Sequence, residues 1–191
     1  MLKSSKKRTK RVLPYTPEFL AYVAGFFDGE GCVYVTKSGE EYLLRTHVTN
    51  TCREVLQVFK EQFGGYISTS INKKNPHHKI VYMWTLDYNH ALDFLRLIEP
   101  WVGVKNNQLF LARIFGVIKN KDRSITRSPE YHEVMVLIKD QMQWLNRKGK
   151  RLDADIEPMK KIFDLIPQED FQNIKQEASR ILILAGYNTC H

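Results

Sequence analysis

Cysteine is scarce in this sequence. The 191 residues include three cysteines, Cys32, Cys52 and Cys190, which form no CxxC pair and no zinc-type spacing. This pattern argues against a cysteine-ligated zinc site. An odd, scattered set of thiols is typical of a protein kept in a reducing compartment.

Long apolar runs are also missing. No run approaches the ~20 residues that a membrane span needs, and no apolar segment of a secretory signal follows the start. The composition, 43% hydrophobic and 26% charged, is that of an ordinary globular protein. We therefore expect no membrane partner and no secretion, and the cytoplasm of a prokaryote or an organelle (mitochondrion or chloroplast) would each fit.

Basic residues are in excess. The formal net charge is +8 and the pI is near 9.3, which indicates a polyanionic partner. Residues 1–11 hold six basic residues and no acid, so we expect residues 1–13 to be a flexible arm that contacts phosphates, or alternatively a solvated tail. Further basic residues concentrate in segments 105–127 and 147–151.

Residue patterns predict helices and hairpins in a repeated order. The first helix should begin after Thr16 and end at Phe27, before the glycines of Asp28–Gly31, and the capping-box spacing of Thr51 and Glu54 predicts a second helix. Asn89 is a candidate cap for the third. The full prediction is strands at 32–37 and 42–49, a helix at 52–63, strands at 66–71 and 79–86, and helices at 89–99, 105–119, 128–146 and, as two short pieces, within 158–185.

Two hairpin–helix units in series predict an α+β fold. The strands should form one four-stranded antiparallel sheet backed by helices, with residues 14–127 as the core and 128–191 as a helical extension of the same domain. Alternation gives the sheet one polar face, which would be solvated or would contact DNA in the major groove. The candidate DNA contacts, with two lysines of the 72–78 loop, are Tyr34, Thr36, Ser38, Arg45, His47, Thr49, Tyr66, Ser68, Ser70, Lys73 and Lys74.

The end of the first helix carries two acids. Ala21, Ala24 and Gly25 are small residues that would let two helices approach closely, and Asp28 and Glu30 follow them. Acids at a helix C-terminus oppose the helix dipole, so either a bound cation or solvent must offset them. A core helix with a glycine cap and two surface acids is the alternative, whereas the spacing fits neither an EF-hand nor a phosphate loop.

Residues 23–31, VAGFFDGEG, resemble the motif of the LAGLIDADG homing endonucleases. Val replaces the first Leu, Phe-Phe replaces Leu-Ile, and Gly and Glu replace the second Ala and the second Asp. The following hairpin, the strand end at residues 48–51, the junction at 63–66 and the segment 100–105 come in the family's order. The resemblance covers about residues 15–118 and implies the αββαββα fold of that family.

The resemblance also implies site residues. Glu30, with the Gly29 carbonyl, would bind catalytic Mg²⁺, for which Mn²⁺ would substitute and which Ca²⁺ would replace without cleavage. Asp28 would serve the helix end and a dimer interface. Asn50 would organise a water molecule, Lys105 would lie near the scissile phosphate, and Arg53 is a weaker candidate for the same pocket. Asn50 as a turn cap, and Lys105 and Arg53 as plain surface residues, are the alternatives.

A single copy of the motif implies a homodimer. The expected function is that of an intron-encoded, site-specific endonuclease that makes a Mg²⁺-dependent double-strand break in a long pseudo-palindromic DNA site. An RNA maturase that assists splicing of its own intron is the alternative, with intron RNA as partner. A DNA-binding regulator that has lost the chemistry is a third possibility, which the acid at position 30 argues against.

Overall fold

The computed structural model describes residues 15–70, 79–119, 129–147 and Ile162. The order of elements in these ranges confirms the predicted α+β succession, with helix bounds that differ by a few residues. The elements are α1 (Pro17–Glu30), β1 (Gly31–Ser38), β2 (Glu41–Asn50), α2 (Arg53–Phe63), β3 (Tyr66–Ser70), β4 (Val81–Asp87), α3 (Tyr88–Ile98), a 3-10 turn (Glu99–Trp101), α4 (Asn106–Lys119) and α5 (Pro129–Leu145).

Helix α1 is longer than the sequence predicted. It continues through Asp28 and Gly29 to Glu30, so the predicted end at Phe27 is wrong. The end is set instead by Gly31, whose backbone N–H donates to the Phe27 carbonyl and whose own backbone is extended. A side chain at Gly31 would collide with the Phe27 ring. The helix therefore passes directly into β1, and both acids lie in its last turn.

Two other helix starts differ from their predictions. Cys52 precedes α2 and no side chain caps that helix, so the capping box of Thr51 and Glu54 is wrong. Helix α3 follows Asp87 directly, so Asn89 lies inside the helix and does not cap it. In both cases the chain leaves a strand with at most two intervening residues, and the helix begins where the strand ends.

The four strands form one antiparallel sheet in the order β1-β2-β4-β3. Gly31 at the start of β1 pairs with Val48 near the end of β2, and Asn50 at the end of β2 pairs with Tyr82 near the start of β4. The C-terminal end of α1 and the C-terminal end of β2 therefore lie at the same end of the sheet.

Helices pack on one face of this sheet over an aromatic core. The rings of Trp84 and Phe94 meet edge to face at 5.1 Å, and those of Phe63 and Phe94 at 4.9 Å. The Trp84 indole donates to the Gly64 carbonyl at 2.8 Å. The aromatic pairs stabilise the core beyond their burial alone, and the indole bond fixes the junction between α2 and β3.

Gly65 is required at that junction. Its φ of +79° lies in the left-handed region that side chains rarely adopt, and a Cβ at this position would collide with the Thr85 carbonyl. The close approach lets β3 pair with β4 immediately after α2 ends. Gly64 therefore ends α2, and Gly65 is a packing requirement of the strand that follows.

Helix α5 packs against β1 and α4. The Asn146 amide donates to the Val33 carbonyl at 2.7 Å, and Met135 and Ile138 are fully buried, as is Ile162. None of the described helices has the length and apolarity to cross a membrane. The arm at 1–13, the loop lysines Lys73 and Lys74, and the helices predicted within 158–185, apart from Ile162, lie outside the described residues.

Candidate functional site

The Asp28 carboxylate connects the end of α1 to the segment before α4. One oxygen accepts hydrogen bonds from the backbone N–H groups of Gly103 at 2.7 Å and Val104 at 3.2 Å, and the other accepts from Lys105 at 3.1 Å. These contacts join residues 75 to 77 positions apart in the chain. With three donors bound, Asp28 acts as an anchor for residues 103–105.

This arrangement explains how an acid is tolerated at the end of α1. The negative end of the α1 dipole disfavours a carboxylate there, but free N–H groups before a helix favour one. Asp28 meets three such groups directly ahead of α4, which begins at Asn106. The carboxylate therefore serves α4 as an anion at its N-terminal side, although it belongs to α1.

Lys105 lies beside the last turn of α1. Its ammonium donates to the backbone carbonyl of Asp28, and its side chain is half-buried. Burial lowers the pKa of Lys105 below its ordinary value, while the charges of Asp28, Cys32 and Glu30 act in the opposite direction. A cation is thus held beside the last turn of α1, within electrostatic range of Glu30.

Glu30 is the acid that stays available. Its side chain is exposed, and no residue in the described ranges donates a hydrogen bond to it or pairs with it at ion-pair distance. Gly29 lies in the last turn of α1, where backbone carbonyls have no partner within the helix. A carboxylate and a carbonyl are the oxygen ligands that Mg²⁺ prefers.

These two oxygen ligands suit a metal ion whose other ligands come from water and from the substrate. The described part of the protein contains no group of three His, Cys, Asp or Glu side chains that could enclose a metal. Mg²⁺ typically keeps several waters and shares phosphate oxygens with its substrate. Glu30 and Gly29 therefore suit a partly hydrated cation. The described residues do not provide the ligands that would enclose a structural metal ion.

Asn50 ends β2 at the same end of the sheet. Its side-chain oxygen accepts a hydrogen bond from the backbone N–H of Cys52 at 2.8 Å, which is the turn-capping role left open by the sequence. Because a backbone N–H can only donate, this bond also fixes which end of the amide is oxygen. The amide nitrogen forms no hydrogen bond with the described residues.

The sheet face opposite the helices is called the open face below. Its members follow from strand register and alternating burial: Cys32, Tyr34, Thr36, Ser38, Glu41, Leu43, Arg45, His47, Thr49, Tyr66, Ser68, Ser70, Val81, Met83, Thr85 and Asp87. Nine of the predicted DNA contacts lie on it. Arg53 is exposed at the start of α2 instead, off the sheet, and Lys73 and Lys74 are not among the described residues.

Arg45 is held in place on the open face. Its Nε lies 2.8 Å from an Asp87 carboxylate oxygen, and the two residues are register partners on β2 and β4. Sequence patterns missed Asp87 and Thr85, because the fourth strand alternates less cleanly than the second. The strand register places Asp87 beside Arg45 and Thr85 beside His47, and the sequence alone does not give this register.

One side of α1 is exposed. Ala21, Tyr22, Gly25 and Gly29 are exposed there, and a Cβ added at either glycine would have no atom within 4 Å. Ala24, predicted with this group, is fully buried in the core and is not part of the exposed side. Ala21, Gly25 and Gly29 are spaced four residues apart, so they form a row of small residues along the helix.

A family model agrees with this part of the chain. Residues 18–100 match the model described as a LAGLIDADG-like domain. This range contains α1, the whole sheet, α2 and α3. No curated protein sequence matches the chain.

Solved structures share the fold. The homing endonuclease I-CvuI in complex with its target is 18% identical with a TM-score of 0.54, over 76% of this chain and 93% of that chain. The archaeal intron-encoded homing endonuclease I-Vdi141I complexed with DNA is 21% identical with a TM-score of 0.52, over 76% and 95%. A double mutant of I-SmaMI aligns over 78% of this chain but 50% of its own, at 17% identity and a TM-score of 0.50.

Proposed function

We propose, from the match of residues 18–100 to a LAGLIDADG-like domain, that this chain is a LAGLIDADG homing endonuclease and cuts double-stranded DNA at a specific site. The observation that carries the proposal is the contrast between the two acids at the end of α1. Asp28 is occupied by three backbone donors, whereas Glu30 is exposed beside a half-buried lysine.

Glu30 and the Gly29 carbonyl would hold the divalent ion. When bound, Mg²⁺ would neutralise phosphate charge and lower the pKa of a water molecule that attacks phosphorus. The I-CvuI complex described above was obtained in the presence of Ca²⁺, which supports divalent metal use by that protein. For this chain we propose Mg²⁺, with Mn²⁺ as a substitute and Ca²⁺ as a binding but inactive ion.

Lys105 and Asn50 would act on the same phosphate. The Lys105 ammonium, anchored on the Asp28 carbonyl, would stabilise negative charge that develops on the phosphate oxygens. Asn50, oriented by its bond to Cys52, would donate from its amide nitrogen to the attacking water. Both groups are fixed by backbone contacts, so little reorganisation is needed when DNA arrives.

The open face would contact the DNA bases. Among its described members, Arg45 is paired with Asp87, so this surface carries little net charge and is suited to reading base edges. Phosphate contacts would come chiefly from the basic segments that lie outside the described ranges. The two functions are then divided between the sheet and the basic segments.

A homodimer would complete the enzyme. The row of Ala21, Gly25 and Gly29 allows another helix to approach closely. A glycine within a helix costs about 1 kcal/mol against alanine, and a Cβ at Gly25 or Gly29 would meet no atom of the described residues. Two copies joined along α1 would bring two Glu30 sites together, one for each DNA strand. The alignment with half of I-SmaMI is consistent with one such unit per chain.

The remaining parts of the proposal are a double-strand break, a pseudo-palindromic target and an origin within an intron. A cleavage selection tests the first two. The purified protein is incubated with a plasmid library of randomised sites in Mg²⁺, and the cut ends are sequenced. We expect one long site with two-fold symmetry, cut in both strands and uncut in EDTA. Cutting that persists in EDTA, or the absence of any selected site, would contradict the proposal.

A further inference from the structure

Two polar atoms at the centre of the open face have no hydrogen-bond partner in the part of the chain that the structure describes. Thr85 is 1% exposed, and neither its hydroxyl nor the Nδ1 of His47 forms a hydrogen bond, although both atoms are buried. The two residues are register partners on β4 and β2. Because register partners share a face, both unpaired atoms lie on the side of the sheet that faces away from the helices.

Two tyrosines lie beside this pair. The Tyr34 ring lies 5.2 Å from the His47 ring. Tyr66 is the register partner of Thr85 on its other side and is 46% exposed. Tyr34 and Tyr66 are close enough to interact electrostatically. Each edge strand therefore places a tyrosine beside the His47–Thr85 pair on the open face.

Another buried threonine of the sheet, Thr46, does form a hydrogen bond through its hydroxyl. Thr46, the neighbour of His47 along β2, is 0% exposed and its hydroxyl donates to the Cys32 carbonyl at 2.9 Å. Thr46 faces the helices, whereas Thr85 faces the open side. A buried polar group without a hydrogen bond lowers the stability of the folded protein. We therefore expect a bound partner to supply the missing hydrogen bond.

We propose that Thr85 and His47 are base-reading groups, with Tyr34 and Tyr66 beside them on the open face. The inference rests on the proposed function and assigns Thr85, with His47, as a specificity-determining residue. A threonine hydroxyl can donate or accept, and a neutral imidazole offers one donor and one acceptor. Set opposite each other on neighbouring strands, the two would address the edge of one base pair in the major groove.

Thr85→Val tests the assignment, with Thr46→Val as its matched control. Both changes remove a buried hydroxyl and keep the side-chain shape. Two quantities are measured for each variant: the urea midpoint of the free protein, and binding in Ca²⁺ across all single-base variants of the selected DNA site. We expect Thr85→Val to keep or raise the midpoint and to lose roughly 10-fold of discrimination at one base pair per half-site. Thr46→Val should lower the midpoint and leave the base profile unchanged.

Other outcomes would overturn the proposal in identifiable ways. A lower midpoint with unchanged base preference in Thr85→Val would mean that the hydroxyl is structural. Tyr66→Ala should retain the preference at that base pair, and its loss there would assign the reading to the tyrosine. If the wild-type protein binds a specific site and Thr85→Val has the same profile, only this inference fails. If the wild type binds no DNA, the proposed function fails as well.

Discussion

Asp28 offers the sharpest test of how the site is built. Its carboxylate accepts three backbone hydrogen bonds from residues 103–105, so replacing it by alanine should release the segment that carries Lys105. Hydrogen bonds to a charged group contribute about 1.5–3 kcal/mol each when buried. Two of these three are open to solvent, where water can take over the donors, so we assign about 1 kcal/mol to each bond.

The helix dipole works against part of this stabilisation. Removing a carboxylate from the end of α1 relieves about 0.3–1 kcal/mol of repulsion. The expected loss in the free energy of unfolding is therefore about 2 kcal/mol for Asp28→Ala. Asp28→Asn keeps one acceptor oxygen and loses the charge, so we expect about 1 kcal/mol for that variant.

Urea unfolding followed by circular dichroism measures both values, without metal and at one fixed protomer concentration because dimerisation would add to apparent stability. Asp93→Asn is the matched control, since Asp93 is exposed on α3 and pairs with no described residue. It should shift the free energy of unfolding by less than about 0.5 kcal/mol. An Asp28→Ala protein as stable as this control would refute the role of Asp28 as an anchor.

Two further changes test the interface and the strand junction. Gly25→Leu adds a large side chain to the exposed side of α1. We expect sedimentation to show a monomer in place of a dimer, with the helix content unchanged. A variant that remains a dimer would contradict the proposed interface. Gly65→Ala combines a positive φ with a collision against the Thr85 carbonyl and should cost more than about 2 kcal/mol. Gly39→Ala, with φ of +59° and open space around it, should cost only about 1 kcal/mol, so equal losses in the two alanine variants would refute the packing argument.

Local patterns predicted the fold well. The alternation of Arg45, His47 and Thr49 identified the open face of β2 correctly, because strand periodicity depends only on neighbouring residues. The predicted end of α1 at Phe27 was wrong because the surrounding structure, and not the local sequence, decides whether a glycine ends a helix. Gly29 continues the helix and Gly31 ends it.

Long-range contacts could not be predicted from the sequence. The bonds from residues 103–105 to Asp28 join distant parts of the chain, and no local pattern encodes them. The strand order β1-β2-β4-β3 is also a tertiary property, and it alone brings Asp87 beside Arg45 and Thr85 beside His47. The candidate acids came from the motif, but their different roles emerged only from their partners.

The most direct test of the central claim compares binding and cutting in Glu30→Gln. The variant keeps the size of the side chain and removes the charge that would hold the cation. Glu61→Gln is the control, because Glu61 is exposed on α2 and its bond from Gln57 needs only an acceptor oxygen. On the selected DNA site, Glu30→Gln should bind in Ca²⁺ as the wild type does and lose at least ~100-fold in Mg²⁺-dependent cleavage, since even indirect partners of a metal cost 10–100-fold. Cleavage by Glu30→Gln at the wild-type rate would contradict the account.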